Sequence, residues 1–151
     1  DRLRSRGLGD VYKRQVYANE LNLKFTNENF SPNEISILIL LSNNPSINTS
    51  SQLCTILGVS KGLISRSIDA LVEKGYIICA KDDADKRIQR LSFSPQAAPV
   101  IQKLNEELTK MNNEVLQGIS KEELQQVETT MTKILTRFKE RNETQHEKNN
   151  V

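Results

Sequence analysis

Between Thr49 and Gly75 the chain carries two consecutive sets of helix start and stop signals with almost nothing between them, and this spacing constrains the fold most. Thr49, with Gln52 three residues on, forms a capping box, in which each side chain satisfies a free backbone N–H of the other residue. Gly58 supplies the left-handed turn that ends this helix. Ser60 caps the next helix, predicted over Lys61 to Lys74 and closed by Gly75. Two short helices joined by Gly58-Val59-Ser60 must bury their apolar stripes against each other, which defines a helix-turn-helix. The stripes are Leu53, Ile56 and Leu57 on one helix and Ile64, Ile68 and Leu71 on the other.

Directly afterwards, Tyr76 to Lys81 and Ile88 to Phe93 read as two short strands. The tip between them, Asp82-Asp83-Ala84-Asp85-Lys86-Arg87, is charged and must be solvated or face something polar. A helix-turn-helix followed at once by a charged hairpin spells a winged helix. Upstream, Val16 to Phe25 is a short helical remnant, and Ser31-Pro32-Asn33-Glu34 predicts a helix start with Ser31 and Glu34 as a capping box. The run Ile35 to Leu41 is apolar on nearly every side, and Ser42-Asn43-Asn44-Pro45 ends it.

Downstream, Ser94-Pro95 opens a long helix with Ile101, Leu104, Leu108, Met111 and Val115 at alternating spacings of three and four. Gly118 breaks it, and Ser120 with Glu123 forms another capping box. The last helix repeats the spacing at Leu124, Val127, Met131, Ile134 and Phe138. Such seams are those of a coiled coil, sustained for about two heptads in each helix. A helical hairpin within one chain would use them; the preferred expectation is that the hairpin also packs against a second chain, because a winged domain of this size cannot bury both seams alone. The expected organisation is therefore mainly α with a small β-hairpin: a partial dimerisation helix over 16–30, a winged helix-turn-helix over 31–94, a helical dimerisation region over 95–141 and a polar tail over 142–151.

The formal charge is +2, but its distribution matters more than its sum. Residues 1–15 contain Arg2, Arg4, Arg6, Lys13 and Arg14, lack any helical or strand period, and resemble translated sequencing-adapter read-through. We read them as a non-native segment rather than a basic arm. Without them the charge is −1, and residues 60–95 hold a local excess of +2. Cys54 and Cys79 are too few for a disulfide scaffold, fit a reducing cytoplasmic compartment, and read as small buried apolar residues rather than reactive thiols. The single histidine, His146, lies in the polar tail. With no nucleophile–base pair, glycine-rich phosphate loop or cluster of metal ligands, no enzyme, no cofactor and no metal site is expected. No apolar run is long enough for a membrane span.

In a helix-turn-helix the second helix enters the major groove of double-stranded DNA, and its first turns meet base edges. Those positions are Ser60, Lys61, Gly62, Ser65 and Arg66. Lys61 and Arg66 reach guanine or phosphate, the serines donate or accept, and Gly62 permits close backbone approach. Leu63 touches thymine methyls or packs inward, with packing slightly favoured. Thr49 and Ser50 open the preceding helix, whose free N–H groups suit a phosphate. Lys86 and Arg87 on the wing, with Arg90 on its second strand, suit a narrow minor groove, although Asp82, Asp83 and Asp85 also neutralise them.

In four stretches the chain resembles the multiple antibiotic resistance regulator (MarR) family. They are Phe30-Ser31-Pro32, the sequence GVSKGLISRSIDALVEKGYI at 58–77, the wing Asp85-Lys86-Arg87 with Ser94 after it, and Leu116 to Glu123. The resemblance covers about Phe30 to Glu140 and implies a DNA-binding transcriptional repressor that works as a homodimer with interlocked terminal helices. It also implies a pseudo-palindromic operator and a small phenolic or anionic effector, whose site the sequence does not locate. Cys79 and Ala80 stand where many relatives carry basic residues, and Ala97 where many carry glycine, which points to modest DNA affinity. The alternative is a dimeric protein-interaction module of the same fold with weak or no DNA binding.

Overall fold

The computed structural model describes residue 16 and residues 18–149, with side chains through 144. The basic segment 1–15, and its reading as non-native, lie outside the described residues. In order, α1 holds residues 18–24, α2 Pro32–Asn43, α3 Ser50–Leu57 and α4 Lys61–Glu73; β1 is Ile77–Lys81 and β2 Gln89–Phe93. A 3-10 turn, Pro95–Ala97, leads into α5, Ala98–Val115, and α6 is Lys121–Asn149. The strands form an antiparallel hairpin with Ile77 opposite Phe93, Cys79 opposite Leu91 and Lys81 opposite Gln89. The fold is thus mainly α with one β-hairpin, in the order of a winged helix-turn-helix.

The local signals act much as their chemistry requires. Gln52 N–H donates to Thr49 Oγ1 at 3.3 Å and Thr49 N–H to Gln52 Oε1 at 3.1 Å, so the box on α3 is closed. Gly58, at φ 66°, returns its N–H to the Cys54 carbonyl. Ser60 Oγ accepts from Leu63 N–H, and α4 ends one residue before the predicted Lys74, which serves as its cap.

At α2 the sequence expectation needs correction. Ser31 Oγ accepts from Glu34 N–H, but Glu34 does not reach back to complete a box. Its carboxylate is buried and takes Lys74 Nζ at 2.5 Å, and that ammonium also donates to the Asn29 carbonyl at 2.7 Å. A buried carboxylate needs a charge partner more than a helix N-terminus needs a second cap. The pair ties the end of α4 to the start of α2.

Ser94-Pro95 opens a 3-10 turn rather than the long helix itself. The Ser94 hydroxyl donates to the Gly75 carbonyl at 2.5 Å and its N–H to the Tyr76 carbonyl, so it does not cap α5. The 3-10 turn intervenes, with Ala97 fully buried. Gly75 itself sits at φ 83°, and a Cβ there would lie 2.9 Å from Gln96 Oε1.

The chain divides into two compact units, one ending at Asn112 and the other beginning at Asn113. In the first, one core joins Ile35, Ile37, Leu38, Leu40 and Leu41 of α2 to Leu53, Ile64, Ile68, Leu71, Ile77 and Leu91. Ala18, Leu21 and Phe25 belong to it, and so do Leu104 and Met111 of α5, with Ile101 and Leu108 packed against it. The α5 stripe is thus covered up to Met111 by α1 and the winged domain, while Val115 is exposed. In the second unit, Gly118 at φ 81° breaks the helix and the Ser120–Glu123 box is closed by hydrogen bonds of 2.7 and 3.1 Å. Those bonds to Ser120 hold the Glu123 carboxyl below its usual pKa. Along α6, Leu124, Ile134, Val127 and Phe138 are exposed, the last two by 62% and 60%, while Met131 is half-buried.

Candidate nucleic-acid interface

Helix α4 has two chemically distinct faces because its period brings residues 64, 68 and 71 to one side. Ile64, Ser67, Ile68 and Leu71 are buried, whereas Ser60, Lys61, Gly62, Ser65 and Arg66 are all exposed. Leu63 is half-buried and lies outside the core cluster, so the slight preference for inward packing gains no support. A Cβ on Gly62 would meet nothing within 4 Å, so internal packing does not demand glycine there. Among the described residues neither Lys61 nor Arg66 has an acidic side chain within ion-pair distance. The five expected major-groove residues thus share one open surface.

At the start of α3, the Thr49 hydroxyl is engaged by the capping box. Its closure leaves the backbone N–H groups of Ser50 and Ser51, the first two helical positions, to meet an anion.

The wing is organised differently, as a chain of hydrogen bonds. Arg90 Nη1 donates to Asn48 Oδ1 at 2.9 Å, and Arg90 Nε to Asp82 Oδ1 at 2.8 Å. Asp82 Oδ2 accepts the N–H groups of Ala84 and Asp85, each at 3.0 Å. Asp85 in turn accepts from the Arg87 N–H and is gripped by Arg87 Nε and Nη2 at 3.1 and 3.0 Å. Lys86 Nζ stands 3.7 Å from Asp83. The Arg90 hydrogen bond holds Asp82 below the usual aspartate pKa, helped by the Asp85 N–H, and the Arg87 side chain does the same for Asp85. The Arg87 side chain remains 91% exposed, with Lys86 exposed beside it, while Arg90 turns inward along the hairpin.

Sequence reasoning missed Asn48. Its backbone carbonyl accepts the Leu91 N–H at 2.8 Å while its side chain takes Arg90, so the residue before α3 is stitched to β2 twice. An asparagine just before an N-cap hints at a turn, but nothing local points to a partner forty-two residues away. The Cys79 thiol is half-buried and pushed up in pKa by burial, then by the charge of Asp69; Cys54 is also half-buried. Among the described residues no group of His, Cys, Asp and Glu could hold a metal, and no helix is long and apolar enough to cross a membrane.

These features define a winged helix-turn-helix with an exposed polar face on α4 and a charged wing. Residues 28–88 match the model of the MarR family, and the helices with their two-stranded antiparallel hairpin agree with the winged-helix fold of that family. Among solved structures, it is similar to the transcriptional regulator BldR from Sulfolobus solfataricus, at 26% identity and a TM-score of 0.63, covering 85% of this chain and 86% of that one. It resembles a MarR protein from Peptoclostridium difficile at 23% identity and TM-score 0.64, over 85% and 80% of the two chains. It also resembles the regulator SlyA at 22% and 0.70, over 92% and 96%. The matched family and the fold are those of transcriptional regulators.

Proposed function

We propose that this protein is a homodimeric, DNA-binding transcriptional repressor. One observation carries the reading: Ser60, Lys61, Gly62, Ser65 and Arg66 are exposed together on the first turns of α4, above a back face fully committed to the core. In this reading Arg66 and Lys61 meet base edges and phosphate in the major groove, the Ser50 and Ser51 N–H groups meet a phosphate, and Lys86 and Arg87 enter the minor groove. The exposed apolar residues of α6 support a second copy as partner, since Leu124, Val127, Ile134 and Phe138 recur at seam spacing. A dimer of this kind reads a pseudo-palindrome with half-sites about one helical turn apart. A small phenolic or anionic effector that alters affinity completes the proposal, as does a cytoplasmic location.

The test is selection of genomic fragments at fixed salt, followed by titration of the selected duplex with Arg66→Ala. The variant should lose roughly 1–3 kcal/mol and relax preference at one base position. Equal binding by variant and parent would remove α4 from the interface. Sedimentation of Val127→Glu/Phe138→Glu tests the dimer: it should sediment as a monomer, and an unaltered dimer would refute the α6 seam. The alternative, an interaction module of the same fold, draws on the wing, where Arg87, Lys86 and Arg90 each have an aspartate partner. It predicts a dimer that selects no fragment.

A further inference from the structure

Arg90 is unlike Lys86 and Arg87, because its guanidinium bonds Asn48, outside the wing, as well as the wing's own Asp82. We infer that Arg90 is a positioning residue that braces the wing against the start of α3, and that it acts on DNA binding through Arg87 without touching DNA itself. The inference rests on the DNA-binding reading proposed above.

The connectivity carries the argument. Arg90 joins Asn48, one residue before the N-cap of α3, to Asp82, at the base of the wing tip. Only a planar guanidinium can hold both partners at once with fixed directions. Asp82, with one oxygen engaged by Arg90, uses the other to order the backbone at Ala84 and Asp85. Asp85 then fixes Arg87 through its N–H and its side chain. Every link from the α3 start to the wing arginine is thus a hydrogen bond of 2.8–3.1 Å. The two ends of the chain are the groups that the proposed function assigns to phosphate and to the minor groove. Arg90 sets their relative placement, which a DNA surface of fixed groove geometry reads.

Three variants separate bracing from contact: Arg90→Lys, Arg90→Gln and the neutral Asn48→Ala, each alone and combined with Arg87→Ala. Amide hydrogen exchange on the free protein should show faster exchange at Ala84 and Asp85 in all three, with the core of α4 unchanged. Unchanged wing exchange would overturn the brace, and this arm needs no DNA. On the selected duplex, each single variant should weaken binding and lower the salt slope, while in the Arg87→Ala background each should add less than about a twofold loss. A direct phosphate contact gives the opposite pattern: Arg90→Lys binds like the parent, Asn48→Ala is silent, and Arg90→Gln adds its full loss to that of Arg87→Ala. That pattern would overturn the proposal. If the unaltered protein selects no duplex, the DNA-binding reading fails and the acceleration of wing exchange alone decides the brace. Where Arg90→Gln disorders the hairpin entirely, Asn48→Ala still reports, because the Asn48 backbone carbonyl that holds Leu91 remains.

Discussion

Helix α4 and the wing both present cations to solvent but hold them by opposite means. Lys61 and Arg66 ride on a helix whose other side is fixed by Ile64, Ile68 and Leu71, so their placement comes from apolar burial and their charges stay uncommitted. Lys86 and Arg87 have no buried backing at the tip; their placement comes from carboxylates that also cancel their charge. Free charge on a rigid support favours reading of bases, because directional contacts are already aimed. Paired charge on an open loop favours adjustment to groove shape, since an Arg87 that bound phosphate, as proposed, would have to exchange Asp85 for it.

The comparison breaks most visibly through the back of α4. Leu71→Ala removes a fully buried side chain from the core shared with α2 and β1 and should cost about 2–5 kcal/mol of stability. Urea denaturation checks this; a loss below about 0.5 kcal/mol, the range of ordinary surface changes, would mean that burial does not fix the helix. A smaller effect is expected at the join between the two regions. Thr49→Ala opens the capping box of α3 and should cost about 1 kcal/mol. The Gln52 side chain keeps its bond to the Asn48 N–H, so wing exchange should scarcely change. A large wing response to Thr49→Ala would mean that the two regions are one cooperative unit rather than two differently held ones.

What was legible in the sequence follows the same divide. The closed boxes at Thr49–Gln52 and Ser120–Glu123, and the left-handed Gly58, are interactions over three or four residues, and pattern alone exposes them. Helix periodicity likewise separated Ile64, Ile68 and Leu71 from Lys61, Ser65 and Arg66. What spacing does not reveal is the set of residues claimed by distant partners. Glu34 forgoes its cap for Lys74, the Ser94 hydroxyl goes to Gly75, and Arg90 is drawn to Asn48. Leu104 and Met111 have seam spacing, yet they are buried in the first unit's own core with Leu21 and Phe25. Spacing reports that a stripe is apolar; it does not report which surface covers it.

The smallest expected effect tests the wing's dependence on carboxylate charge. Asp82 and Asp85 are held below the ordinary aspartate pKa by Arg90 and Arg87 respectively. Groups depressed in the folded state contribute fully above the unfolded value, about 3.9, and that contribution is lost as pH falls through the folded values. Protection of the Ala84, Asp85 and Arg87 amides, corrected for intrinsic exchange, should therefore hold from neutrality to about pH 4 and fall only below it. Both carboxylates are solvent-accessible, so global stability should barely register the change, and added salt should weaken the wing in the same direction. The α4 face, with no carboxylate partner among the described residues to lose, should keep its exchange pattern across this range. Loss of wing protection between pH 6 and 5 would assign its order to something other than these aspartates, and the contrast with α4 would have to rest on packing alone.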